Sequence, residues 1–105
     1  MFVAMNRFRV QPGQGDTFER IWRERDSYLA GVPGFLEFML LRGDEGDYIS
    51  HSTWESRAAF DAWTESDAFR RGHAQGSLMG VLAGPPVIGM YDALMVQPAT
   101  EAAGS

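Results

Sequence analysis

The chain has 105 residues, with nine basic against fourteen acidic side chains and a net charge of −5. That length suits one domain and is too short for two, and the negative balance excludes a nucleic-acid surface, which needs a concentrated positive field. Cysteine is absent, which excludes disulfides, thiolate catalysis and cysteine-held metals or clusters; with no signal peptide read at the N-terminus and no apolar run near the roughly 18–20 residues of a membrane span, a soluble cytoplasmic protein is expected.

Residues 2–10 alternate with period two. Phe2, Ala4, Phe8 and Val10 fall on one face and Val3, Met5, Arg7 and Arg9 on the other, the pattern of a strand. The first face is apolar except at Asn6. Gln11 to Gly15 is turn chemistry, and Asp16 with Glu19 three residues on predicts a capping box for a helix over about 17–30. Phe18, Ile21, Trp22, Tyr28 and Leu29 lie near one face of that helix. Val32-Pro33-Gly34 ends it and leads into a strand from Phe35 to Arg42. A tight turn at Gly43-Asp44-Glu45-Gly46 then precedes a partner strand from Tyr48 to Glu55. Ser56 is placed to cap a helix over 57–63, and Ser66 or Thr64 to restart one running to about 72. Residues 74–86, with three Gly and two Pro, read as a mobile connection. A last strand is predicted from Val87 to Gln97, and 98–105 as a frayed tail. The order β-α-β-β-α-β predicts a single α+β domain over 1–97, a ferredoxin-like split-βαβ sandwich with both helices on one sheet face. The other face needs a cover, which a second subunit or a ligand can supply.

Three residues stand out for chemistry. Asn6 is a lone amide on an apolar strand face, costly unless it finds partners. It reads equally well as a structural amide bonded to a neighbouring strand and as a donor aimed into a ligand cavity. Trp63 ends the first short helix, where a large aromatic is usually core. The same twenty-residue segment already holds Trp54, Phe60 and Phe69, and that excess favours a role in shaping a cavity. His73 follows Phe69 by four residues on the same helical face. A lone histidine there is more often a satisfied core or edge residue, but this one stands just before a Gly-rich connection, and a neutral imidazole is a good iron ligand. His51, between Ser50 and Ser52, reads as a surface or sheet-edge residue. No His-x-x-x-His motif, phosphate loop, nucleophile elbow or dinucleotide fingerprint is present.

Met5-Asn6-Arg7, Trp54-Glu55-Ser56 and Phe60-x-x-Trp63-x-x-Ser66-x-x-Phe69-x-x-x-His73 together resemble the heme-degrading monooxygenases of the IsdG type, within the wider antibiotic-biosynthesis-monooxygenase superfamily. The resemblance runs from Met1 to about Met95 and is carried by the combination of Asn6, Trp63 and His73. It implies a homodimer whose subunits pair as an α+β barrel, with heme held between sheet and helices. It further implies His73 as the proximal ligand of the heme iron, Asn6 as the distal hydrogen-bond donor and Trp63 pressing on the macrocycle. Phe69 would line the heme site, and Arg70 and Arg71 are the nearest basic candidates for the propionates. The implied reaction uses heme as both substrate and cofactor, O2, and an external electron donor, either a reductase or a small reductant. It releases iron and an open-chain tetrapyrrole. Two other readings stay open on the residues alone: a cofactor-free monooxygenase of a polyphenolic substrate, and a non-catalytic heme-binding or stress-response dimer.

Overall fold

The computed structural model describes residues 1–24, 29–74 and 78–99, and of residues 72–74 the backbone only. Four strands, β1 (Phe2–Arg9), β2 (Phe35–Arg42), β3 (Asp47–Trp54) and β4 (Val87–Asp92), form one antiparallel sheet in the order β2-β3-β1-β4. Helices α1 (Gly15–Glu24), α2 (Arg57–Thr64) and α3 (Asp67–Ala74) complete the ferredoxin-like arrangement, the second helix of the motif being split in two. Among the described residues no helix is long and apolar enough to cross a membrane.

The alternation in β1 sets which face is covered. Phe2, Ala4 and Phe8 are buried, and their rung partners in β3, Trp54, Ser52 and Tyr48, share that face. The core on this face is divided. One cluster gathers Phe8, Val10, Phe18, Tyr48 and Val81 under α1, with Phe18 4.6 Å from the Tyr48 ring and 5.3 Å from that of Phe8. The other gathers Phe2, Ala4 and Trp54 under α2, with Phe60 and Trp63 packed against them. Trp54 and Phe18 are wholly buried, so each cluster is built around one aromatic that contacts no water.

Local chemistry accounts for the break between α2 and α3. Ser56 accepts a hydrogen bond from the Ala59 backbone N–H at 3.2 Å and caps α2. Ser66 accepts from the Phe69 N–H, also at 3.2 Å, while its own hydroxyl donates to the Trp63 carbonyl at 2.6 Å. Each helix therefore starts at its own serine.

Four expectations need correction. The Asp16–Glu19 capping box does not form: α1 begins at Gly15, Asp16 lies inside its first turn, and Glu19 bonds across to β3 instead. Leu29 and Ala30 are not helical; the stretch 25–28 between, with Tyr28, lies outside the described residues. The connection read as mobile over 74–86 is docked along its second half. Val81 is buried, Leu82 bridges Val10, and the Ala83 N–H donates to the Arg9 carbonyl at 2.7 Å. Finally, β4 ends at Asp92 rather than Gln97; Leu94 and Met95 beyond it are more than nine-tenths exposed, and a strand has little to pair with there.

Gly34 joins the second cluster to the sheet. Its carbonyl accepts from the Glu55 N–H at 2.8 Å, and its φ of +80° suits glycine. A Cβ at this position would run into the Cβ of Ala59 on α2, whereas Gly31, at a φ of +78°, has open space around it. Gly31→Ala is therefore expected to cost about 1–2 kcal/mol from backbone conformation alone, and Gly34→Ala a further 1–3 kcal/mol or so from overpacking against α2. Urea unfolding of the two variants measures the difference, and equal losses would remove the Ala59 contact as its cause.

Candidate functional site

The division of the core leaves one row of the sheet between the two clusters. Across the covered face this row reads Leu40, Ser50, Asn6, Ile88, from β2 through β3 and β1 to β4. Leu40 leans on the first cluster, Ala4 in the next row belongs to the second, and Ile88 and Met90 on the β4 side are 67% and 45% exposed. Asn6 is half-buried in the middle of this row. Its carboxamide forms no hydrogen bond among the described residues.

Trp63 stands at the end of α2, part-buried, in a run of four rings. It lies 5.3 Å from Trp54, 6.2 Å from Phe60 and 4.8 Å from Phe69, the last edge-on at 90°. Trp54 is core rather than cavity wall: it is sealed between Phe35, Phe60 and Trp63, and its indole N–H donates to Ser52 Oγ at 3.0 Å. The aromatic segment is thus a packed stack whose outer members are Trp63 and Phe69. Phe69 ties the start of α3 to the end of α2. Arg70 and Arg71 are exposed on α3, and Arg70 is ion-paired with Asp67 one turn earlier, a surface pair of the kind worth little to stability. The backbone of His73 is in the last turn of α3; its imidazole lies outside the described residues, as does the connection at 75–77.

The structure therefore brings Trp63 and Phe69 together and places Asn6 on the open row beside their cluster. Two things escaped the sequence reading. Ser50 is Asn6's rung partner and is only 6% exposed; the period-two pattern of β3 puts it on the Trp54 face, a signal available from the sequence. His51 is on the opposite, helix-free face and in a central strand, not at a sheet edge.

A second polar group anchors the α1 wall. Glu19, 14% exposed, accepts from the Tyr48 hydroxyl at 2.6 Å and from Arg42 at 3.2 Å and Arg23 at 3.1 Å, around a cavity of about 240 Å³ that Leu40 also lines. The Tyr48 hydrogen bond foremost, and the Arg42 guanidinium after it, hold the Glu19 carboxyl below its ordinary value. Burial, then the Glu19 contact, pushes the Tyr48 phenol up, so it stays a donor. All the strong groups here are spent on one another, and the cluster works as a clasp between helix and sheet.

Comparison with known proteins gives a consistent picture. The family model for antibiotic biosynthesis monooxygenases matches residues 1–75. A curated relative described as a mycobilin-producing heme oxygenase, from Mycobacterium tuberculosis, is 37% identical over 68 residues, which is 63% of this chain and 65% of the relative. The match thus spans slightly less than two thirds of that protein's length. Among solved structures, the heme-degrader MhuD from Mycobacterium tuberculosis, with two hemes bound in its active site, superposes with a TM-score of 0.76 at 29% identity, covering 93% of this chain and 100% of that one. SnoaB, a cofactor-independent oxygenase from Streptomyces nogalater, superposes with a TM-score of 0.70 at 22% identity over 92% and 96% of the two chains, a likeness of fold alone.

The clasp carries a pH signature. Because the folded-state value of Glu19 is depressed, its contribution is fully present above the unfolded carboxyl value and is lost as pH falls through the lower folded one. Glu19→Gln is expected to be less stable than the parent at neutral pH, with the gap closing below about pH 4. Thermal unfolding from pH 7 to pH 3 reads this directly; a gap independent of pH would mean that the carboxylate charge plays no part.

Proposed function

The chain belongs to the antibiotic biosynthesis monooxygenase family, and from that premise we propose that it degrades heme, opening the macrocycle oxidatively with O2 and an external reductant and releasing iron. The observation that carries this reading is the uncommitted carboxamide of Asn6 on a floor it shares with Leu40, Ser50 and Ile88, between a row of rings ending in Trp63 and Phe69 and a β4 edge that leaves Ile88 and Met90 uncovered. Such a surface suits a broad flat ligand with one polar point of contact above its face. The relatives that are heme-degrading add their weight to it.

Heme supplies the iron that activates O2 and is itself the molecule that is opened. The chain's own residues hold and steer. His73 is the proposed iron ligand: α3 is started by Ser66 and seated by Phe69 against Trp63, and helical spacing puts position 73 on the Phe69 side of that helix. Asn6 donates on the oxygen-bearing side as a fixed dipole that needs no reorganisation when charge develops. Trp63 is backed by Trp54 and Phe60, so it meets the macrocycle as a wall that does not yield. Arg70 and Arg71 are the cations proposed for the propionates. The acting form is proposed to be a cytoplasmic homodimer: the helix-free sheet face presents Met39, Leu41, Val87 and Tyr91, all at least 38% exposed, and a second copy would cover them.

Hemin added to the purified protein is expected to give a Soret band saturating near one heme per chain, which decays in air with ascorbate as chelatable iron appears. His73→Ala should abolish the ligated spectrum, and Asn6→Ala should bind hemin but turn it over on the order of 10²-fold more slowly. A band that persists under reductant would make the protein a heme binder, and no band at all would favour a cofactor-free oxygenase. For the assembly, light scattering should report a dimer that Leu41→Glu converts to monomer; a monomeric parent protein would overturn that part of the reading.

A further inference from the structure

We propose that Tyr91, laid along the sheet in the space that Gly89 leaves, is the anchor by which the helix-free face holds a second copy of this chain. The inference rests on the homodimer proposed above and names the contact that would hold it. Gly89 stands in the interior of β4, opposite Met5 of β1, and Tyr91 follows two residues on, opposite Val3. Strand alternation puts both on the face that no helix covers. A Cβ built on Gly89 would lie 2.7 Å from the Tyr91 hydroxyl oxygen, 2.7 Å from Cε2 and 3.0 Å from Cζ. The tip of the ring therefore takes the place of a side chain at position 89. The ring lies back along β4 rather than standing off it.

A glycine inside a strand weakens it and often marks the close approach of another group. Here that group is the chain's own tyrosine, which is still 57% exposed. Within one subunit the arrangement costs strand propensity and leaves the ring mostly in water. Against a second sheet it is an advantage. Facing sheets pack about 10 Å apart, a spacing that a flat ring fits and an upright one does not. A ring held in place beforehand also has less freedom to lose on binding, and tyrosine is prominent among the residues that carry interface energy.

Charge points to a second copy as the occupant. The chain has a net charge of −5, so two copies repel one another in most orientations. On the helix-free face the carboxylates and guanidiniums balance: Glu37 and Asp47 are matched by Arg7 and Arg9. Arg7 also grips Asp47 through two hydrogen bonds of 2.9 and 3.0 Å. Met39 and Leu41 at one side and Val87 and Tyr91 at the other are exposed apolar groups on the same face. A two-fold interface sets a surface against itself, and this one meets its own image without net repulsion.

Sedimentation equilibrium of the full chain over a range of concentrations measures the dimer Kd. Gly89→Ala and Tyr91→Ala are each expected to raise it on the order of tenfold or more. The double variant should be no weaker than Tyr91→Ala, because the glycine acts through the ring it seats. Tyr91→Phe keeps the ring and should stay closer to the parent than Tyr91→Ala. Urea unfolding at a dilution where the variants are monomeric separates pairing from folding: there Gly89→Ala should be at least as stable as the parent. Tyr91→Ala, a change at an exposed position, decides the matter should Gly89→Ala fail to fold. A Tyr91→Ala chain that pairs as tightly as the parent overturns the proposal and leaves the dimer standing, and losses that add in the double variant overturn it too. A monomeric parent chain overturns the dimer and this proposal together.

Discussion

The helical side of the sheet is covered by two aromatic clusters that do not merge, and most of what this molecule can do depends on that separation. A chain of this length buries only about two thirds of its unfolded surface at best, so a continuous core would be the stable choice. Instead, α1 gathers one set of rings around Phe18 and α2 another around Trp54, and the row carrying Ser50 and Asn6 is left between them. Polar groups are tolerated there because no helix seals the row completely. The same gap that weakens the core is the surface on which the proposed flat ligand would rest.

The walls of the gap are fixed by different physics. On the α1 side the Glu19–Tyr48–Arg42 clasp ties helix to sheet through charge-assisted hydrogen bonds across β2 and β3. On the α2 side the wall is all contact: Trp63 is wedged among Trp54, Phe60 and Phe69, where aromatic pairs add to the area they bury. One wall answers to pH and salt, and the other to shape.

Much of this was legible in the sequence, and the parts that were not have a common cause. The strand alternation around Asn6 and the serine starts of α2 and α3 are set by neighbours within a few residues, and the structure has them where the pattern puts them. The Asp16–Glu19 box was misleading because Glu19's partners come from Tyr48 and Arg42, more than twenty residues on. Gly and Pro in 78–86 suggest looseness, but Val81 is held in the core by Phe8 and Val10 from the other end of the chain. Ser50 was passed over because its interest comes from its rung partner, and strand register is a long-range property.

The two capping serines have a consequence for how the site keeps its alignment. Ten residues separate Trp63 from His73, but they do not form one continuous helix: Ser66 resets the helical phase between them. Position 73 is therefore counted from Ser66, at about 100° per residue, and not from Trp63. Ser66 also bonds back to the Trp63 carbonyl, so one hydroxyl group is the angular reference for both helices. A residue gained or lost after Phe69 would turn the rest of α3 while leaving Trp63, Phe60 and Phe69 undisturbed.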